Sequence, residues 1–419
     1  MSESISKDGP HHYLPRLVDP LLDEALAGLP AVSLVGPRAS GKTTTAERRA
    51  ASVTRLNRVA DATPFRIDAD AALARLDEPA LLDEWQDVPE VLAAVKTAVD
   101  ADARSGRFLL TGSVRIAYEQ TWPATGRVVR IAVYPLTVRE MERTTSDLFV
   151  DRVTRDDPGQ LEPAGTPWNL FDYLEAAERG GLPDVALRRT GRARTLWLDS
   201  YLHEMMTRDV KLAGATPDPG KLAAYTEAVA VNSAGIVDET TLVDAARISR
   251  SSADSYRNLL KAVYFLDEVP AWSSNRMTRI VAQPKRYVVD TALLMTLTRL
   301  DVDSAARDPN MLGRIIDTFV AMQIRPELAV SPARPRLHHL RDKGGRHELD
   351  LVLDYGRGQI AGIEIKATAA PDLGDARHLI WARDSLGDHF LAGVVLHTGQ
   401  ATFRLSERII AAPISTLWT

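Results

Sequence analysis

The segment Gly36-Pro37-Arg38-Ala39-Ser40-Gly41-Lys42-Thr43 constrains this chain more than any other. It matches the pattern GxxxxGK[ST] without deviation. It follows the mostly apolar run Ala31–Val35, and a helical stretch is expected next, over Thr43–Ala51. Glycines at these positions let backbone N–H groups wrap phosphate oxygens, and a helix start adds favourable partial charge. On this reading Gly36, Pro37, Arg38, Ala39, Ser40, Gly41, Lys42, Thr43 and Thr44 line a nucleotide site. Lys42 would reach the β- and γ-phosphates, and the Thr43 hydroxyl would ligate Mg²⁺. ATP and Mg²⁺ are the expected ligands.

Such a loop needs acidic partners on a neighbouring strand. Ala80-Leu-Leu-Asp83-Glu84-Trp85 delivers two carboxylates at the end of an apolar run. Asp83 would hold the Mg²⁺ shell, and Glu84 would orient or activate the attacking water. Phe108-Leu-Leu-Thr111-Gly112-Ser113 ends another candidate strand, where Ser113 would hydrogen-bond the γ-phosphate or that water. Gly126-Arg127 precedes the apolar run Val128–Val133. Arg127 is the candidate transition-state cation, with Arg115 and Arg130 as competitors; a surface salt bridge is the alternative for each. Helical spacing in Val91–Val99 separates these strands, and strands alternating with helices predict a parallel sheet covered on both faces.

The 419 residues allow two to three domains. With 45% hydrophobic and 26% charged residues the chain is globular, not disordered. Its 51 basic against 56 acidic residues give −5, which excludes a uniformly basic coat but not a local basic face. The absence of cysteine excludes disulfide scaffolds, Cys-ligated zinc, iron–sulfur clusters and thiol nucleophiles. The start MSESISKDGPHH does not read as a secretory signal, and no run has the length and apolarity of a membrane span. A cytoplasmic protein is expected.

A stretch rich in Asp, Pro and Gly, Thr144 to Pro167, reads as an excursion or domain boundary. From Leu170 to Leu300 the pattern is mainly helical, with three helical stretches between Lys221 and Val269. The third, Ser251–Leu266, would start on a capping Ser-Ser pair and put Tyr256, Leu259, Leu260 and Val263 on one side. Val269–Ser273 and Arg286–Val289 would pair as a β-wing. That winged-helix reading offers Arg247, Arg250, Arg257 and Lys261 to DNA phosphates, with a lid or protein-docking role as the alternative. Arg188, Arg189, Arg192 and Arg194 form a second basic cluster, expected on one helix face.

In the last third, Glu348–Leu353 and Ile360–Ile365 flank the turn-rich Asp354–Gly358 and predict a hairpin. Asp350 and Glu364 would then converge on one divalent ion, Mg²⁺ or Mn²⁺. Lys366 shares a strand face with Glu364. Two carboxylates and a lysine suffice to hold a metal and position a water against a phosphodiester. The set is similar to the PD-(D/E)xK nuclease signature, with Asp317, in a helical stretch Gly313–Ile324, where relatives commonly have Glu. Such domains also persist as DNA-binding or structural elements without cleavage. Arg334–His347 would track a phosphate backbone or form a solvated loop.

Together these motifs resemble the bacterial and archaeal AAA-type ATPases of the AAA_14 family that carry a DUF4143 C-terminal region. The resemblance runs from Tyr13-Leu-Pro-Arg16 through residues 36–44, 81–89 and 108–113. It continues through Gly126-Arg127, Pro135-Leu-Thr, Gly180-Gly-Leu-Pro183, Tyr201 and Thr207-Arg-Asp209 to the acidic motif near the C-terminus. It implies a first-sensor role for Ser113 and an arginine-finger role for Arg127, in cis or from a neighbouring copy in an oligomer. It also implies three regions: an ATPase core over 1–160, a helical lid and winged helix over 161–300, and an α/β restriction-endonuclease-like domain over 301–419. The expected function is a Mg²⁺-dependent ATPase acting on or binding DNA. The alternative is a slow nucleotide switch whose other regions bind DNA or protein without cleaving.

Overall fold

The apolar run before the glycine-rich loop becomes β1 (Ala31–Val35), the fourth strand of a five-stranded, wholly parallel sheet. The computed structural model describes residues 13–114, 125–155, 157–163, 167–213, 217–273, 283–342 and 345–419. The other strands are β2 (Ser52–Arg55), β3 (Ala80–Asp83), β4 (Phe108–Gly112) and β5 (Val128–Ala132), in the order β2-β3-β4-β1-β5. β1, β3 and β4 are buried at every position, as expected for strands covered on both faces. Successive side chains point to opposite faces. Ala31, Val35, Leu82 and Leu110 meet the helix Val91–Ala101, while Val32, Leu34, Leu81 and Leu109 meet Leu22 of the helix Asp19–Gly28. Because the strands are parallel, the glycine-rich loop, Asp83 and Gly112 all leave the sheet at one edge, where α/β sheets hold ligands.

The middle of the chain is helical. Pro219–Val231, Glu239–Ala246 and Arg250–Ala262 are followed by β6 (Leu266–Val269), antiparallel to β7 (Lys285–Val288). The helix Arg250–Ala262 buries Ala253, Tyr256, Leu259 and Leu260, and its N-cap is Ser249, which accepts from the Ser252 N–H at 3.1 Å. It is therefore shorter than the expected Ser251–Leu266, and the strand pair starts earlier than expected, with Leu266 opposite Val288.

A 22-residue helix, Pro309–Val330, leads into a six-stranded sheet of order β12-β13-β11-β10-β9-β8. Its strands are β8 (Arg336–Arg341), β9 (Glu348–Gly356), β10 (Gln359–Lys366), β11 (Phe390–His397), β12 (Phe403–Ser406) and β13 (Ile409–Pro413). β9 and β10 form the expected hairpin, with Ile363 opposite Leu351. β8 occupies much of the supposed basic loop, and its Leu337, His338, His339 and Leu340 are buried.

One core runs from Val114 to Trp418 and joins the middle of the chain to its end. Trp418 packs against Trp168, Phe319 and Tyr173 at ring-centroid distances of 4.9, 6.1 and 6.2 Å. Part of the expected boundary Thr144–Pro167 belongs to this core, because Phe149, Val150 and Val153 form a short apolar face within it. Arg152, buried beside them, donates to the Thr416 carbonyl.

Candidate functional site

At the ligand edge of the parallel sheet, Lys42 is 4% exposed and donates to the Gly36 and Pro37 carbonyls at 3.1 and 2.7 Å. Burial pulls its ammonium down to about 8, against the opposing pull of Glu84. The Thr43 and Thr111 hydroxyls both donate to Asp83 Oδ1 at 2.6 Å. Thr111 also accepts from the Glu84 N–H at 3.1 Å, which fixes the turn after β3. Ser113 Oγ donates to Glu84 Oε2 at 3.1 Å, and Gln86 holds the same oxygen. Ser40 is fully buried, and its hydroxyl has no hydrogen-bond partner among the described residues. Thus Lys42, Thr43, Asp83, Glu84 and Ser113 meet at one edge. Thr111 and Gln86 belong with them, although only their places beside the motif residues marked them in the sequence.

The loop is tied to the rest of the chain by three side chains. Arg16, 7% exposed, donates to the Ser40 carbonyl at 2.9 Å, to the Tyr134 carbonyl at 2.7 Å and to Glu140 at 2.9 Å. Arg38 pairs with Asp209 at 3.0 Å, and the Tyr201 hydroxyl donates to the Arg38 carbonyl at 3.2 Å. Thr43 and Asp83 present hard oxygens already in contact, a donor set that fits Mg²⁺.

Arg127 lies elsewhere. It precedes Val128, which pairs with Ala31 at the start of β1, whereas the glycine-rich loop follows Val35. About 13 Å of strand separates the two ends, more than an arginine side chain spans. Arg127 instead pairs with Asp100 at 2.8 Å. The expected role in cis is therefore corrected: within one chain this arginine faces the opposite edge. Arg130 sits mid-strand opposite Ser33, and Arg115 lies outside the described residues.

The C-terminal carboxylates do come together, around a cation that the sequence reading missed. Lys285 of β7, 2% exposed, donates to Asp317 Oδ2 at 2.5 Å and to Asp350 Oδ1 at 3.1 Å. Tyr287, two residues on and on the same strand face, donates to Asp317 Oδ1 at 3.0 Å. The Ile365 N–H donates to Asp350 Oδ2 at 3.0 Å. Lys366 pairs with Glu364 Oε2 at 2.8 Å, and Glu364 Oε1 is buried with no partner among the described residues. Burial, with the Asp350 charge adding, pushes Glu364 up to about 8. Burial likewise raises Asp317 to about 6, although Lys285 opposes it.

The basic faces are largely engaged internally. Arg257 pairs with Glu239 and Asp254 at 3.0 and 2.8 Å, and Lys261 with Glu268 at 2.5 Å; Arg247 and Arg250 are exposed. Arg188 and Arg189 both face Asp184, while Arg194, on a different helix, pairs with Glu178. The expected single basic helix face is therefore divided and mostly neutralised.

Three family models match the chain: an AAA domain (AAA_14) over residues 29–142, and two domains of unknown function, DUF8612 over 170–304 and DUF4143 over 312–417. The chain is similar to the uncharacterized proteins Rv2008c of Mycobacterium tuberculosis and Mb2031c of Mycobacterium bovis. Each is 26% identical over 408 residues, spanning 95% of this chain and 83% of the relative. Among solved structures it is similar to the Walker-type ATPase PABY2304 of Pyrococcus abyssi, at 16% identity and a TM-score of 0.39. That match covers 67% of this chain and 94% of the other.

Proposed function

Since the chain belongs to the AAA_14/DUF4143 ATPase family, we propose that it is a Mg²⁺-dependent ATP hydrolase that acts on or binds DNA. The carrying observation is the meeting of Lys42, Thr43, Asp83, Glu84 and Ser113 at one sheet edge. Lys42 exchanges the Gly36 and Pro37 carbonyls for the β- and γ-phosphates, while backbone N–H groups of residues 36–44 surround them. Thr43 and Asp83 would hold Mg²⁺, whose charge would be available to the phosphate oxygens. Glu84, held by Ser113 and Gln86, orients the attacking water. Arg127 remains a candidate finger only when supplied by a neighbouring copy.

On this reading the chain divides into three regions, 1–160, 161–300 and 301–419. Three helices followed by a strand pair support a winged-helix-like middle, with Arg247 and Arg250 offered to phosphates. A helix, three antiparallel strands, a helix and a further parallel strand support a nuclease-like end.

The deciding measurement is ATP turnover by the full chain and by Lys42→Ala, each with and without DNA. Turnover is expected to be lost in Lys42→Ala and to be stimulated by DNA in the unaltered chain; undiminished turnover in the variant would refute the site. A second reading, a slow switch, is favoured by the Arg38–Asp209 pair, through which a rearranged loop pulls on the middle region. Turnover that DNA does not alter, with nucleotide-dependent binding of DNA or protein, selects the switch.

A further inference from the structure

A divalent ion shared by two carboxylates needs both to turn free oxygen lone pairs toward one point. Between Asp317 and Asp350 that point is taken by the Lys285 ammonium, 2.5 Å from one carboxylate and 3.1 Å from the other. Building on the nuclease-like reading of this region, we propose that Lys285 permanently occupies the cation position, so that the site binds no catalytic metal and cleaves no phosphodiester.

Lys285 is fully used there. An ammonium has three donors, and its acceptors are Asp317 Oδ2, Asp350 Oδ1 and the Asp350 carbonyl at 3.4 Å. The other carboxylate oxygens are engaged too, by the Tyr287 hydroxyl and the Ile365 N–H. Nor is the lysine free to leave. β7 is buried at all four positions and paired along its length with β6, so a displaced ammonium would stay buried without its counter-charges. The nearby Glu364 spends one oxygen on Lys366 and keeps one, Oε1, without a partner among the described residues. Mg²⁺ is ordinarily anchored by one or two carboxylates with waters completing its shell, and with both aspartates committed to Lys285 this single oxygen is the only anchor left at the site among the described residues. Among the described residues no group of three metal-ligating side chains is arranged to hold an ion. Lysine thus supplies the positive charge that a nuclease takes from its metal, and it cannot be exchanged with solvent.

The test titrates Mn²⁺ into the full-length Lys42→Ala protein without nucleotide, reading free Mn²⁺ by electron paramagnetic resonance. Adding Asp350→Asn should leave that titration unchanged. Replacing Lys285 by the uncharged Lys285→Met should create an Asp350-dependent Mn²⁺ site, at least about tenfold tighter than any binding before. Asp350-dependent Mn²⁺ binding while Lys285 is present would overturn the proposal. So would Mn²⁺-dependent nicking of plasmid DNA that Asp350→Asn abolishes, or a folded Lys285→Met protein that gains no Mn²⁺. If Lys285→Met does not fold, the titrations with Lys285 in place still decide. Failure of the underlying DNA reading appears separately, as absence of DNA binding by the unaltered chain with nucleotide bound.

Discussion

Glu84 reaches its position on a left-handed backbone, with φ of 54°, directly after the last residue of β3. Its carboxylate is held by two neighbours, so its removal tests chemistry without dismantling the loop. Glu84→Gln is expected to keep nucleotide binding and lower turnover by about 10²–10⁴-fold, measured in single-turnover assays. A second residue sets a pH dependence. Glu327 pairs with Arg139 at 3.2 Å, yet burial outweighs that partner and raises the carboxyl to about 7. A folded value above the unfolded one contributes stability that is present below about pH 4.5 and lost as pH rises through 7. Glu327→Gln should flatten that slope, worth on the order of 3 kcal/mol, in urea unfolding between pH 4.5 and 7.5. An unchanged slope would reject the assignment. At this scale legibility followed sequence distance. Lys42 and Thr43 sit in one contiguous motif. Lys285 meets Asp317 across 32 positions, Arg16 meets Glu140 across 124, and Arg38 meets Asp209 across 171. No local pattern marks such pairs, because only the packed chain brings them within reach.

Among elements, the glycine-rich loop is held against the strand beside it. A Cβ on Gly36 would lie 2.2 Å from the Val133 carbonyl oxygen, a contact with backbone that cannot be relieved by a rotamer change. Gly36→Ala should therefore weaken nucleotide binding by at least about tenfold, read by fluorescent-nucleotide titration. Retention of full affinity would show that the loop relaxes. The sequence located β1, β3 and β4, buried at every position, and also β5, whose apolar run was visible although Val129 and Arg130 are exposed. β2 escaped notice because it is a four-residue edge strand, Ser-Val-Thr-Arg, with one buried position. β8 was misread because its Arg and His residues suggested solvent, whereas both histidines are buried in the sheet.

Across the whole molecule, a core shared between residues 114 and 418 predicts that the middle and end of the chain unfold together. Calorimetry should show one transition for both; a separate melting of the C-terminal region would contradict the shared core. The sequence suggested a boundary at Thr144–Pro167 because polar residues and turn formers dominate it, and the short buried face at Phe149–Val153 is masked by that composition.

The helix Pro309–Val330 carries Asp317 near its middle and Glu327 near its C-terminal end, about 15 Å apart along its axis. Glu327 holds Arg139, whose neighbour Glu140 holds Arg16, and Arg16 holds the glycine-rich loop through Ser40. The ATPase segment is therefore not a transferable cassette. A chimera that exchanges residues 13–142 with those of a relative must import a partner for Glu327 at position 139, or it leaves the buried carboxyl with the Val150 N–H but without its counter-charge. Divergence in this lineage should accordingly be paired: a change at Arg139 survives only beside a change at Glu327.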